Sequence, residues 1–237
     1  MALKFLSDIG LPAPRVLAYG SKGSGKTSSL ATLNKISLNG GLIMSEYGNL
    51  APYYQRLGAL GLEPLAKDRV LRVDTYNEIL EALDYFTALG VDWLGHDSLS
   101  ADSKMFEQEQ FPIGTPYGER DSYSKWKAIA DRLTVVSHRI KDGPWKFAVT
   151  IGLEEQDGTY AGVFVHGKKS RTELTPWAFN GVAHFQRPTT NEKGNSIYQL
   201  AFNPDGLWET TCQFSLAAAI GNGPPDWHEI FKKAGRL

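Results

Sequence analysis

The sequence predicts an α/β fold, a mostly parallel sheet flanked by helices with an antiparallel C-terminal extension. Three observations carry that prediction. The first two-thirds of the chain alternates β-rich apolar runs with segments of helical periodicity, the pattern of strands covered on both faces. A glycine-rich segment sits between the first such strand and the first helix. After residue 155 the alternation gives way to short strands joined by turns.

Arg15-Val16-Leu17-Ala18-Tyr19 reads as the first strand and Lys26 to Leu33 as the first helix. Gly41 to Ser45 is a second apolar run, Pro52 to Leu60 a helical segment, and Val70 to Val73 a third strand. Thr75-Tyr76-Asn77-Glu78 fits a capping box, in which hydroxyl and carboxylate satisfy free N–H groups at a helix start. Ile79, Leu80, Leu83, Phe86 and Leu89 then keep helical spacing up to Gly90. Trp93 to Asp97 is the fourth strand, although Gly95 and His96 lie inside it. Tyr123 to Ile140 is a long helix with Trp126, Ile129, Leu133, Val136 and Ile140 on one face, and Phe147 to Ile151 is the fifth strand. Gly162 to His166, Gly181 to Gln186, Tyr198 to Phe202 and Trp208 to Gln213 are short strands, linked by turns such as Asn203-Pro204-Asp205-Gly206. Asp226 to Ala234 closes the chain as a short helix. No linker, repeat or charge block marks a boundary, so the expectation is one domain over 1–237, with a core over about 14–186 and a β-rich extension over about 187–237.

Composition narrows the function. With 237 residues, 42% of them hydrophobic, the chain can bury a substantial core. A net charge of −1 excludes a polycation that coats nucleic acid, so any such contact needs a local patch or an assembly. The single Cys excludes a disulfide framework within the chain and a Cys-rich zinc site. The first residues break their apolar run too early for a secretory signal, and no stretch approaches the ~20 apolar residues of a membrane span. The expected location is cytoplasmic, with no membrane partner.

The decisive segment is Gly20-Ser21-Lys22-Gly23-Ser24-Gly25-Lys26-Thr27, a full match to G-x-x-x-x-G-K-[ST]. Chance supplies such a match in about 1% of chains this long, from average residue usage, and here it also stands between a strand and a helix. The glycines let the backbone turn its N–H groups onto a phosphate chain, and the following helix adds its positive end. Gly20 through Ser28 are therefore the candidate nucleotide-binding residues. Lys26 reaches the β- and γ-phosphates, and the Thr27 hydroxyl holds Mg²⁺.

Hydrolysis also needs a carboxylate for the hydrated metal and a group that orients or deprotonates water. Asp97 ends the fourth strand and is the candidate metal-side acid; the competing role for Asp97-Ser98 is a helix N-cap. Asp92 precedes the same strand, at the edge away from where ligands bind in such sheets. Glu46 directly follows the second strand, on the same edge as the phosphate loop.

A phosphate loop, a strand ending in Glu46 and a strand ending in Asp97-Ser98 together resemble the RecA-like P-loop ATPase core. The Trp126-containing helix, the strand at Phe147 to Ile151 and Gly162 followed by basic Gly167-Lys168-Lys169 resemble more narrowly the compact RecA-like nucleotide-binding proteins of bacteriophages, some of which act as single-strand annealing or recombination proteins. The resemblance spans about residues 14–186. It implies an ATP- and Mg²⁺-dependent ATPase in which Glu46 is the catalytic base alongside Lys26 and Asp97. It also implies a homo-oligomeric ring or filament, and single-stranded DNA held by loops after the fourth and fifth strands. The matching stretches are Phe111 to Tyr123 and Glu154 to Asn180. The second contains Lys168, Lys169 and Arg171 with Tyr160, Phe164 and Trp177, a basic and aromatic mixture suited to backbone tracking and base stacking. In an assembly, Lys168 or Lys169 would instead reach a neighbour's γ-phosphate. Two features depart from the family: Gly95 and His96 replace aliphatic residues, and Thr150-Ile151-Gly152-Leu153-Glu154-Glu155-Gln156 lacks the Asn-Gln that senses the γ-phosphate. Thr150, Glu154 and Gln156 are the substitutes available.

The leading expectation is thus a phage-type recombination or annealing ATPase acting on single-stranded DNA. The alternatives are a nucleotide-gated DNA-binding or scaffold protein with negligible hydrolysis, and a small-molecule or nucleotide kinase, for which no Arg-rich lid is evident. A packaging motor is disfavoured by the lack of a nuclease or translocation segment.

Overall fold

The computed structural model describes residues 12–46, 50–116, 119, 122–157, 160–166, 178–202, 210–213 and 222–237. The chain begins with β1 (Arg15–Gly20), α1 (Lys26–Leu30), β2 (Gly40–Met44), α2 (Ala51–Leu60), β3 (Val70–Arg72), α3 (Tyr76–Leu89), β4 (Trp93–Asp97) and α4 (Leu99–Gln110). There follow α5 (Tyr123–Asp142), β5 (Phe147–Asp157), β6 (Tyr160–Val163), β7 (Gly181–Phe185), β8 (Thr189–Thr190), β9 (Ser196–Ile197), β10 (Leu200–Ala201), β11 (Thr211–Cys212), β12 (Asn222–Gly223) and α6 (Trp227–Lys233).

Among the described residues the main sheet runs β12-β10-β7-β1-β5-β4-β2-β3, with β11 on β7 and β6 on β5. The strands from β7 to β3 are parallel, and β10, β11 and β12 pair antiparallel at the β7 edge. β1 lies in the middle and is buried along its whole length, which is why its sequence runs apolar without alternation. One face packs against α3, α4 and α5 through Phe86, Phe106, Leu133 and Trp145. The other packs against α1, α2 and α6 through Leu30, Tyr53, Trp93, Trp227 and Phe231.

The first helix differs from the expected Lys26 to Leu33. It is α-helical only to Leu30 and continues as a 3₁₀ turn over Ala31–Lys35. Ser29 Oγ donates to the Lys26 carbonyl at 2.6 Å and Thr32 Oγ1 to the Ser29 carbonyl at 2.7 Å; such back-bonding hydroxyls compete with the helical ladder. The fifth strand runs past Ile151 to Asp157, because from Glu154 onward it pairs with β6. Gly181 to Gln186, grouped by sequence with the turn-linked short strands, runs parallel to β1 and belongs to the core sheet. The predicted 198–202 strand shrinks to Leu200–Ala201; of the predicted 208–213 strand the described residues pair at Thr211–Cys212, and Trp208 and Glu209 lie outside the described residues. The Asn203-Pro204-Asp205-Gly206 turn lies outside the described residues.

Both departures within β4 have packing explanations. The Trp93 indole lies over Gly40 and reaches towards Gly95, so a Cβ on Gly40 would stand 2.1 Å from ring carbons and one on Gly95 2.9 Å from Leu42 Cδ1. His96 faces the other side, fully buried, with Nε2 3.0 Å from Asp102 Oδ2 on α4. Neither residue disturbs the carboxyl edge on which Asp97 sits.

Candidate nucleotide site

The 20–27 segment leaves β1 and enters α1 at Lys26. Gly20 is pressed against β7, where a Cβ would stand 2.6 Å from that of Phe185. Gly23 (φ 81°) and Gly25 (φ 89°) take the left-handed backbone from which anion-binding nests are built. Lys26 Nζ donates to the Gly20 and Ser21 carbonyls at 2.9 and 2.6 Å, tying the loop to itself. Burial lowers the Lys26 pKa, against the opposing pull of the Asp97, Glu46 and Glu154 charges. The amino group therefore lies within electrostatic reach of three carboxylates.

Thr27 Oγ1 donates to Asp97 Oδ2 at 2.7 Å, so the loop and the end of β4 meet at the residues expected to share a metal. The cap role belongs to the next residue. Ser98 Oγ accepts from the Ala101 N–H at 3.2 Å and caps α4, which leaves the Asp97 carboxylate to Thr27. The Asp97–Ser98 peptide is cis. Asp97 Oδ1 is buried and makes no hydrogen bond among the described residues. Burial raises the Asp97 pKa to about 6 even though the Thr27 bond opposes it.

A hydroxyl and one carboxylate whose second oxygen is buried with spare capacity suit Mg²⁺, a hard cation usually held through one or two carboxylates, its shell completed with water and phosphate. Among the described residues no three His, Cys, Asp or Glu side chains cluster as an all-protein cage. When bound, the ion would neutralise charge on the β- and γ-phosphate oxygens.

Glu46 follows β2 by two residues and is anchored through its backbone. The Ser45 and Glu46 N–H groups donate to the Asp97 carbonyl at 2.6 and 3.3 Å. Its exposed side chain lines a cleft of about 360 Å³ with Lys22, Gly23, Gly25, Lys26, Thr27 and Ser28. Glu154, in β5 one residue past Leu153, the partner of Gly20, contacts His184 Nε2 at 3.1 Å and adds its charge to the Lys26 environment. Thr150 lies mid-strand, buried and in register with Leu17 and His96, while Gln156 is exposed on the β5–β6 hairpin. Of the three sensor candidates, Glu154 alone stands beside the phosphate loop. Asp92 sits at the opposite edge, hydrogen-bonded to Ser37 at 2.9 Å and paired with Lys146 at 2.9 Å.

Lys168, Lys169, Arg171 and Trp177 lie outside the described residues. Sequence reasoning named the Phe111 to Tyr123 stretch and Phe164 separately and missed the cluster, drawn from three segments, in which they meet. Phe111 after α4, Trp126 of α5 and Phe164 and His166 after β6 form a chain of ring contacts 5.0–5.9 Å apart. Lys104 Nζ stands 5.5 Å from the Phe164 ring and Lys125 Nζ 5.1 Å from that of Phe111. His166 also pairs with Glu107 at 2.9 Å. No local signal could have assembled this group, since only tertiary packing brings its members together.

No family model and no curated protein matches the chain. Among solved structures, a KaiC-like protein from the hyperthermophilic archaeon Pyrococcus horikoshii OT3 is similar over 80% of this chain and 79% of its own, with a TM-score of 0.50 and 13% identity. The RadB recombinase matches over 80% of this chain and 88% of its own, with a TM-score of 0.45 and 13% identity. No helix among the described residues is long and apolar enough to cross a membrane. The likeness is one of fold, and the chain has the RecA-like P-loop NTPase architecture.

Proposed function

We propose that this protein is a Mg²⁺-dependent ATPase that acts on single-stranded DNA, of the kind that serves recombination or annealing in bacteriophages, working as a cytoplasmic homo-oligomer. The observation that carries the ATPase part is the Thr27–Asp97 contact at 2.7 Å beneath a phosphate loop whose cleft Glu46 also lines. Lys26 stabilises phosphate charge, Thr27 and Asp97 hold the metal, and Glu46 orients and deprotonates the attacking water. The DNA part is supported by the basic and aromatic group of Lys104, Lys125, Trp126 and Phe164, packed over the buried Phe111 ring, and by the basic 167–177 stretch that follows Phe164 in sequence. The half-buried Trp126 and Phe164 rings and the Lys104 and Lys125 ammonium groups suit a single strand without base preference.

The test is ATP turnover with and without single-stranded DNA for the wild type, Lys26→Ala, Glu46→Gln and Lys104→Ala/Lys125→Ala. Turnover that DNA stimulates is expected, at least 100-fold lower in the first two variants by the scale of lost acid–base and charge terms. The double variant keeps DNA-free turnover and loses the stimulation. ATP binding without turnover under either condition would replace this reading with a nucleotide-gated scaffold. Turnover indifferent to DNA would remove the DNA part alone.

A further inference from the structure

We infer that Tyr198 is the nucleobase platform of the cleft, the ring on which the base of a bound nucleoside triphosphate stacks while the 20–27 loop holds its phosphates. The inference rests on the nucleotide-binding reading above and adds to it a residue from the far end of the chain.

Tyr198 lines the same cleft as Lys22, Lys26, Thr27 and Glu46, where Pro52 and Leu153 add an apolar wall. Its ring lies against the phosphate loop itself, since a Cβ on Gly25 would stand 3.0 Å from Tyr198 Cδ1 and 3.5 Å from Cε1. The side chain is nevertheless 39% exposed, whereas Leu200, Ala201 and Phe202 just after it are buried. The backbone around it is held on both sides. Ile197 pairs with Thr189 in the β8–β9 hairpin, the Gln186 N–H donates to the Gln199 carbonyl at 3.0 Å, and Leu200 is in register with Phe185. A large ring carried on a tethered backbone, 39% exposed and set at the rim of the 20–27 loop, leaves π-surface available to a ligand. Stacking on such a surface accepts any base, because every base has a π-face. The polar floor and the aromatic rim thus divide the ligand between them, phosphates on one and base on the other.

The test compares equilibrium binding of ATP and of inorganic tripolyphosphate, each with Mg²⁺, to the wild type, Tyr198→Ala and Tyr198→Phe. Tripolyphosphate keeps the phosphate chain and lacks the base. Tyr198→Ala is expected to weaken ATP by about 5- to 100-fold, the range of base–aromatic stacking, and to leave tripolyphosphate within about twofold. Tyr198→Phe should bind both as the wild type does. Equal changes for the two ligands, in either direction, would overturn the inference and make Tyr198 a residue that shapes or covers the loop. No change for either would make it a bystander and overturn the inference equally. A wild type that binds neither ligand would overturn the nucleotide reading itself, a distinct outcome.

Discussion

The Asp97 carboxyl is 1% exposed beneath the phosphate loop, and burial holds its pKa at about 6, above the ordinary carboxylate value of 3.8. Between about pH 4 and 6 the folded chain therefore keeps a proton that the unfolded chain has released. Because the unfolded state binds fewer protons there, stability falls as pH rises through that window. At neutral pH the ionised group costs the metal-free fold about 3 kcal/mol by the same relation. A cation beside Asp97 would offset that cost, as the proposed metal role of this residue requires. Asp97→Asn keeps the shape and an acceptor for Thr27 while removing the charge. Urea melts without Mg²⁺ should show the variant more stable than the wild type at pH 7.5 by about 1–3 kcal/mol, with the gain vanishing near pH 4. Equal destabilisation at both pH values would contradict the assignment.

At the scale of elements, what the sequence makes legible is what forms locally. The Thr75–Glu78 capping box is present with both bonds, and Gly90 ends α3 in the left-handed conformation. The 20–27 loop, the amphipathic face of α5 and the strands ending near Glu46 and at Asp97 need only neighbouring residues to be recognised. Strand direction and partner are set elsewhere in the chain. The parallel run of β7 beside β1, the extension of β5 into its hairpin with β6 and the Lys104–Trp126–Phe164 cluster stayed hidden for that reason. Arg15 is another case, a charged residue inside a buried strand that looks misplaced in sequence. Its guanidinium donates to the carbonyls of Lys141, Gly143 and Trp145 at 3.0, 2.9 and 2.8 Å, closing the C-terminal end of α5, and burial lowers its pKa to about 10. Arg15→Leu would leave those carbonyls unpaired, and denaturant unfolding should report a loss of about 3 kcal/mol. Arg15→Lys should recover only part, since an ammonium lacks the planar fork that reaches several carbonyls at once.

At the scale of the whole molecule, the C-terminal extension closes back onto the end of the chain that carries the 20–27 loop. Its strands add to the β7 edge, and α6 then packs under α1 on the same face of the sheet. Trp227 is the joint. Its backbone N–H donates to Thr32 Oγ1 at 2.8 Å and its indole Nε1–H to Ser29 Oγ at 3.0 Å; Ser29 lies in α1 two residues after Thr27, and Thr32 in the 3₁₀ turn that continues it. Phe231, one turn on, stacks on Phe147 of β5 with centroids 4.7 Å apart. The extension is thereby coupled to the helix whose first turn carries Lys26 and Thr27. Trp227→Phe keeps most of the buried ring and removes the indole donor, whereas Trp227→Ala also opens a cavity. Denaturant unfolding should show losses of about 1–2 and 3–5 kcal/mol respectively. If the extension supports the site as well as the fold, the Phe variant should also bind Mg²⁺–ATP more weakly than the wild type while remaining fully folded, as read by equilibrium binding at a temperature well below its melting point. Unchanged ATP affinity in a destabilised Phe variant would confine the role of Trp227 to the core.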